Sequence, residues 1–132
     1  MKKHLSTYLL ILLFLAGVSL LLYPTVSNYW NTMHASAAVT AYAQQVQGLD
    51  ERQYDPILSA ARDYNRSLVN RENSYVLSPD QQTQYESLLD LDGTGVMGYI
   101  EIPRIDVSLP IYHGTADSVL QVAVGHLEWT SL

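Results

Sequence analysis

The sequence predicts an α+β chain in which an N-terminal transmembrane helix and a helical arm precede the opening strands of a sheet domain that would be mainly β if complete. Three observations carry that expectation. Leu5 to Tyr23 contains no charged residue, Val26 to Leu89 shows helical spacing and helix start signals, and the pattern switches to period two after Asp92-Gly93-Thr94-Gly95.

The nineteen residues from Leu5 to Tyr23 reach about 28 Å at helical rise, close to the ~30 Å hydrocarbon core of a bilayer. A cleavable signal peptide competes with this reading, because Met1-Lys2-Lys3-His4 is a basic start and Ala35-Ser36-Ala37 imitates a cleavage site. The apolar run is too long and its end at Tyr23 too far from Ala35, so an uncleaved anchor is favoured. Lys2 and Lys3 hold the N-terminus in the cytoplasm and no basic residue follows until Arg52, which places the remainder outside the cell. Tyr23, Tyr29 and Trp30 suit the outer interface.

Pro24 can kink or restart a helix, and Val26 to Gln47 then continues helical without Gly or Pro. Gly48 offers a stop, since the left-handed conformation costs least at glycine. Asp55-Pro56 reads as an N-cap with proline at the first helical position, followed by Ile57, Leu58, Ala61, Tyr64 and Leu68 at helical spacing. Residues 70–75 are polar and loop-like. Ser78-Pro79-Asp80-Gln81 then starts a short helix running to about Leu89.

Beyond the glycine turn, Val96, Gly98, Ile100 and Ile102 point one way and Met97, Tyr99 and Glu101 the other. Pro103 ends that strand, and Val107, Leu109 and Ile111 share a face of the next. Pro110 limits the second strand to an edge or a strand end, because proline donates no ladder hydrogen bond. Thr115 to Ala123 suits a short helix capped by Asp117, and Val124 to Leu127 an extended piece. The chain stops at Leu132 without a closing feature. One or two hairpins do not offset an ordering cost of roughly 1 to 2 kcal/mol per residue, so an interrupted sheet domain is expected.

Composition excludes several functions. Setting Lys2 and Lys3 aside leaves five basic against thirteen acidic residues in the exported part, about eight net negative charges. Nucleic acid, which needs Lys and Arg clusters, is therefore not expected as a partner. With no cysteine there is no disulfide, thiolate metal site or cysteine nucleophile. Among the histidines, His4 lies in the cytoplasmic tip, His34 in the arm, and His113 and His126 at strand ends. His126 with Glu128 is the most tempting cation pair, but zinc generally takes three or four protein ligands, so turn histidines with main-chain partners are expected. Asp90 with Asp92 and Asp50 with Glu51 read as solvated loop charge rather than acid-base pairs. No GxSxG turn supports a serine hydrolase, and most of the ten tyrosines should pack on helix faces or at the membrane interface.

Residues 95–132, GVMGYIEIPRIDVSLPIYHGTADSVLQVAVGHLEWTSL, resemble the first strands of the barrel of class C, pilin-polymerising sortases. Ala60-Ala61-Arg62-Asp63-Tyr64-Asn65 is the best match to the arm of that family. The resemblance implies an incomplete sortase-type β-barrel. It also implies a cysteine transpeptidase of Gram-positive cell-wall and pilus assembly, which cuts an LPxTG-type sorting signal, holds it as a thioester and passes it to a pilin lysine. That chemistry needs a thiolate, a histidine and an arginine for the acyl oxyanion, and the resemblance places all three C-terminal to this region. No catalytic, cofactor-binding or metal residue is thus assigned here, no cofactor is expected, and the chain should be an inactive N-terminal fragment.

The implied organisation is a cytoplasmic tip at 1–4, a signal anchor at 5–23, an extracytoplasmic arm at 24–94 and the start of the barrel at 95–132. The implied partners are the lipid bilayer and, for a complete domain, pilin or surface-protein sorting signals. Two features depart from the family. Its Asp-Pro-aromatic lid motif is missing from Tyr75-Val76-Leu77-Ser78-Pro79-Asp80, and Asp55-Pro56-Ile57 lies too early and lacks the aromatic. Trp129 stands where the family prefers glycine. The alternative class is a non-enzymatic, membrane-anchored interaction protein whose acidic arm and short sheet bind another surface protein.

Overall fold

A computed structural model describes residues 2–69 and 76–132, so the loop expected at 70–75 lies outside the described residues. Helices α1 (Lys2–Gly48), α2 (Glu51–Val69) and α3 (Pro79–Glu86) are followed by strand β1 (Val96–Ile102) and a 3-10 turn at Pro103–Ile105. Strand β2 (Val107–His113), the short helix α4 (Asp117–Leu120) and strand β3 (Val124–His126) complete the order. The chain divides into two units, Met1–Met33 and His34–Leu132.

In the first unit α1 continues helical through Pro24. Leu9, Leu12, Phe14, Leu20 and Leu21 are all exposed, so the apolar side chains have no protein cover. Ser19 Oγ donates to the Leu15 carbonyl at 2.8 Å, which satisfies the hydroxyl within the helix. Among the described residues this is the one helix long and apolar enough to cross a membrane.

The second unit opens with the last turns of α1. Ala35 is buried there, so the small-residue run around it packs as helix. The helix stops at Gly48, but not through a left-handed glycine: positive φ occurs only at Gly93, Gly95 and Gly114 among the described glycines. The start of the next helix is set by Asp50. Its Oδ1 accepts the Gln53 amide at 3.0 Å while Gln53 Oε1 accepts the Asp50 amide at 3.1 Å, a reciprocal capping box. Helix α2 therefore begins at Glu51 and not at Asp55-Pro56, which lies inside it. Asp50 is a cap, not the free loop charge the sequence suggested. Ala61 and Tyr64 are buried on the inner face of α2, beside half-buried Ile57, Leu58 and Leu68, as their spacing predicts.

Helix α3 carries the expected box: Ser78 Oγ accepts the Gln81 amide at 3.3 Å and Gln81 Oε1 accepts the Ser78 amide at 3.0 Å. It ends at Glu86, earlier than Leu89, which takes a positive φ of 61°. Asp90 and Asp92 then organise the turn into β1. The Asp90 carboxylate accepts the amides of Gly93 at 2.9 Å and Gly95 at 3.1 Å, and Asp92 accepts the Thr94 amide at 3.1 Å.

Strands β1 and β2 form an antiparallel hairpin in which Gly98, Ile100 and Ile102 face Ile111, Leu109 and Val107. A bulge at Met97 breaks the register between Val96 and Gly98. Its extra residue pairs Val96 with Tyr112, so Val96 turns to the face opposite Gly98 and Ile100. β2 is the middle strand of the order β1-β2-β3, not an edge. Parallel β3 pairs only with Ile111–His113, which leaves the flank of β2 at Pro110 uncovered by that strand and accommodates the missing donor. Asp117 is the first residue of α4 rather than its cap. The cap is Ala116, whose side chain makes no capping bond. Tyr64, Tyr85 and Leu88 form the core cluster, with Leu68, Leu77 and Leu132 packed against it.

Candidate functional site

The densest polar arrangement lies where α2 and α3 meet the ends of β2 and β3. His113 and His126 are register partners across the parallel pair, and Tyr85 from α3 lies against both. Its ring meets His113 edge-on at 4.9 Å and lies nearly parallel to His126 at 5.8 Å. Tyr64 from α2 adds a further ring 5.8 Å from Tyr85. Tyr85 is fully buried, and such a phenol needs partners for its hydroxyl. It has three: His126 Nδ1 at 2.9 Å, the His126 carbonyl at 3.0 Å and the Gly114 amide, which donates at 3.2 Å.

These contacts place a hydrogen on one nitrogen of His126. Its Nε2 faces the Ser131 carbonyl at 3.1 Å, an acceptor only, so Nε2 carries the hydrogen. Thr130 Oγ1, 3.2 Å from Nε2, donates its own proton to the Leu127 carbonyl at 2.9 Å. The Nδ1 of His126 lies 2.9 Å from the Tyr85 hydroxyl. Thr130 and His126 look like a nucleophile and its base, but a protonated Nε2 cannot take the hydroxyl proton. His113 donates from Nε2 to the Leu88 carbonyl at 2.8 Å, and its Nδ1 lies 3.2 Å from the Gly95 carbonyl. Both histidines thus have the main-chain partners expected of turn histidines.

The tempting pair of His126 and Glu128 is not formed. β3 ends at His126 and the chain turns at Leu127–Thr130, where the Thr130 amide bonds the Leu127 carbonyl at 3.0 Å, so strand alternation no longer applies. The Glu128 carboxylate instead accepts from Gln82 Nε2 at 3.4 Å. Among the described residues no three metal-ligating side chains converge. Trp129 takes no positive φ, so a side chain at this turn position costs no backbone strain. His34 lies in α1, outside this cluster.

Burial pushes the Tyr85 hydroxyl up to about 12, with the Gly114 amide opposing and the charges of Glu128 and Glu86 adding to it. The phenol is a hydrogen-bond donor at neutral pH, not a base. Burial also raises Tyr42, whose hydroxyl bonds the Met97 carbonyl at 2.9 Å. The Thr94 hydroxyl, at 2.5 Å, and then the Gln45 amide hold Asp92 below the usual carboxylate range. Asn65 completes the cluster: Nδ2 donates to the Leu132 carbonyl at 2.9 Å and Oδ1 accepts the Leu132 amide at 2.8 Å. Tyr64 donates its hydroxyl to the Glu128 carbonyl. Chemically this is a structural arrangement of tyrosine, histidine and main chain, and the sequence supplies no thiol to act within it. Tyr85 was not singled out by sequence, whereas Tyr64 and Asn65 sit in the arm segment that carried the resemblance.

No protein-family model and no curated protein matches the chain. Among solved structures, sortase C1 from Streptococcus agalactiae is 40% identical over 73% of this chain and 50% of that one, with a TM-score of 0.67. Sortase C from Clostridium perfringens, solved with the C-terminal cell wall sorting motif, is 32% identical over 74% of this chain and 49% of that one, with a TM-score of 0.55. With identity and fold shared across nearly three quarters of its length, this chain is a relative of the class C sortases that spans about half the length of the structures it matches.

Proposed function

We propose that the chain provides the membrane anchor, helical arm and first barrel strands of a class C sortase, a transpeptidase that cleaves an LPxTG-type sorting signal and joins pilin subunits. The observation that carries this reading is the 40% identity to sortase C1 over 73% of the chain. The sorting-signal partner is supported by the Clostridium perfringens enzyme, which was solved with such a motif. Residues 5–23 form a membrane span, with 1–4 in the cytoplasm, the arm at 24–94 outside and the barrel strands from residue 95. With no cysteine in the sequence, the chain alone forms no thioester.

A chimera tests this reading. Residues 34–132 replace the corresponding half of sortase C1, and cleavage of a sorting-signal peptide is followed by mass spectrometry. The expected result is restored cleavage by the chimera and none by this chain alone. A folded but inactive chimera overturns the assignment of the arm and strands, and cleavage by the purified chain alone overturns its inactivity.

A further inference from the structure

β3 is three residues long and pairs with three residues of β2 along one edge. Parallel pairing of that length is too weak to set the course of the chain that follows. Yet the path from His126 to Leu132 is held at both ends by side chains of the arm. Tyr85 bonds the His126 carbonyl, Tyr64 bonds the Glu128 carbonyl, and Asn65 bonds both the amide and the carbonyl of Leu132. His126 adds an internal tie, with Nε2 on the Ser131 carbonyl.

All four of those bonds from the arm end on main-chain atoms. We propose that α2 and α3 form a main-chain clamp in which Asn65, Tyr64 and Tyr85 are positioning residues that set the trajectory of residues 126–132. Such a clamp reads the path of the segment and not its side chains. The arm is then an integral part of the sheet unit rather than a spacer between membrane and sheet. Its core agrees: Tyr64 of α2, Tyr85 of α3 and Leu132 share one cluster.

Amide hydrogen exchange on the full chain in detergent micelles tests the clamp. Asn65→Leu removes both bonds at near-constant volume. Exchange at the Leu132 amide should rise about tenfold, the loss of roughly one hydrogen bond, while Ile100 and Leu109 in the hairpin keep their protection. Tyr85→Phe keeps the ring, frees the His126 carbonyl and should accelerate exchange at the Thr130 amide, which bonds the Leu127 carbonyl inside the segment, by a similar factor. Ser131→Ala, which changes only a side chain in the segment, should leave Leu132 unaltered. Exchange at Leu132 within about twofold of the parent in Asn65→Leu, or equal acceleration in the hairpin, overturns the clamp. Should Asn65→Leu not fold, unchanged Thr130 exchange in Tyr85→Phe overturns it independently. No sorting-signal chemistry enters the measurement, so its failure leaves the sortase reading standing.

Discussion

Gly125 shows how closely the strands approach at the crossover. A Cβ added there would lie 2.5 Å from the Gly114 carbonyl oxygen and 3.2 Å from Thr115 Cα, both main-chain atoms that cannot swing aside. Gly125→Ala should therefore cost about 1 to 3 kcal/mol through overpacking, measured as a lower midpoint in urea unfolding. At Gly48 nothing lies within 4 Å of the added carbon, and alanine there serves as a control with little effect. Tyr85 carries a second residue-level consequence. Its folded-state value near 12 lies above the ordinary 10 of an unfolded tyrosine. Below pH 10 both states hold the proton, so its contribution is fully present. Between about pH 10 and 12 the unfolded state releases the proton first, and stability falls until the folded value is passed. Tyr85→Phe should flatten this alkaline loss, followed by circular dichroism against pH. An equal slope in both proteins would remove Tyr85 as its source.

At the scale of elements, the two capping boxes give the sharpest comparison. Asp50 and Gln53 close α2 as Ser78 and Gln81 close α3. Asp50→Ala should destabilise the chain by about 1 kcal/mol, whereas Asp55→Ala, on an exposed turn inside α2, should change little. Thermal unfolding of the two variants decides between them. The comparison also explains what could be read from residues alone. Ser78-Pro79-Asp80-Gln81 has a cap, a first-turn proline and a partner at the right spacing, and α3 starts there. Asp50-Glu51-Arg52-Gln53 has the same spacing without proline, and the louder Asp55-Pro56 drew the expected start five residues too late. The strand faces were legible from Gly98 to Ile111. The Met97 bulge was not, because an extra residue is defined only by the partner strand. The parallel pairing of β3 depends likewise on the crossover at 114–123. The polar cluster was the least legible part: Asn65 and the tyrosines bond main-chain atoms, which every residue possesses, so no sequence pattern marks their partners.

For the whole molecule, the sequence predicts a first unit inserted in the membrane and a second unit outside the cell. Charge argues for export: Lys2 and Lys3 precede the apolar run, and no Lys or Arg follows it until Arg52. The exposed leucines of the first unit add a physical reason for insertion, since a helix apolar on every side has no stable place in water. The small-residue site that would favour release is packed as helix around buried Ala35. Because the chain contains no cysteine, single substitutions report topology without background. Ser59→Cys, exposed on α2, should react with a membrane-impermeant maleimide on intact cells. His4→Cys should react only after lysis. Labelling of His4→Cys on intact cells would invert the orientation. Recovery of labelled Ser59→Cys in the medium, short of its N-terminal residues by mass, would replace the anchor with a cleaved signal. Retention of both in the membrane fraction, with the two sites reacting on opposite sides, is the outcome that joins the apolar helix to an exported arm.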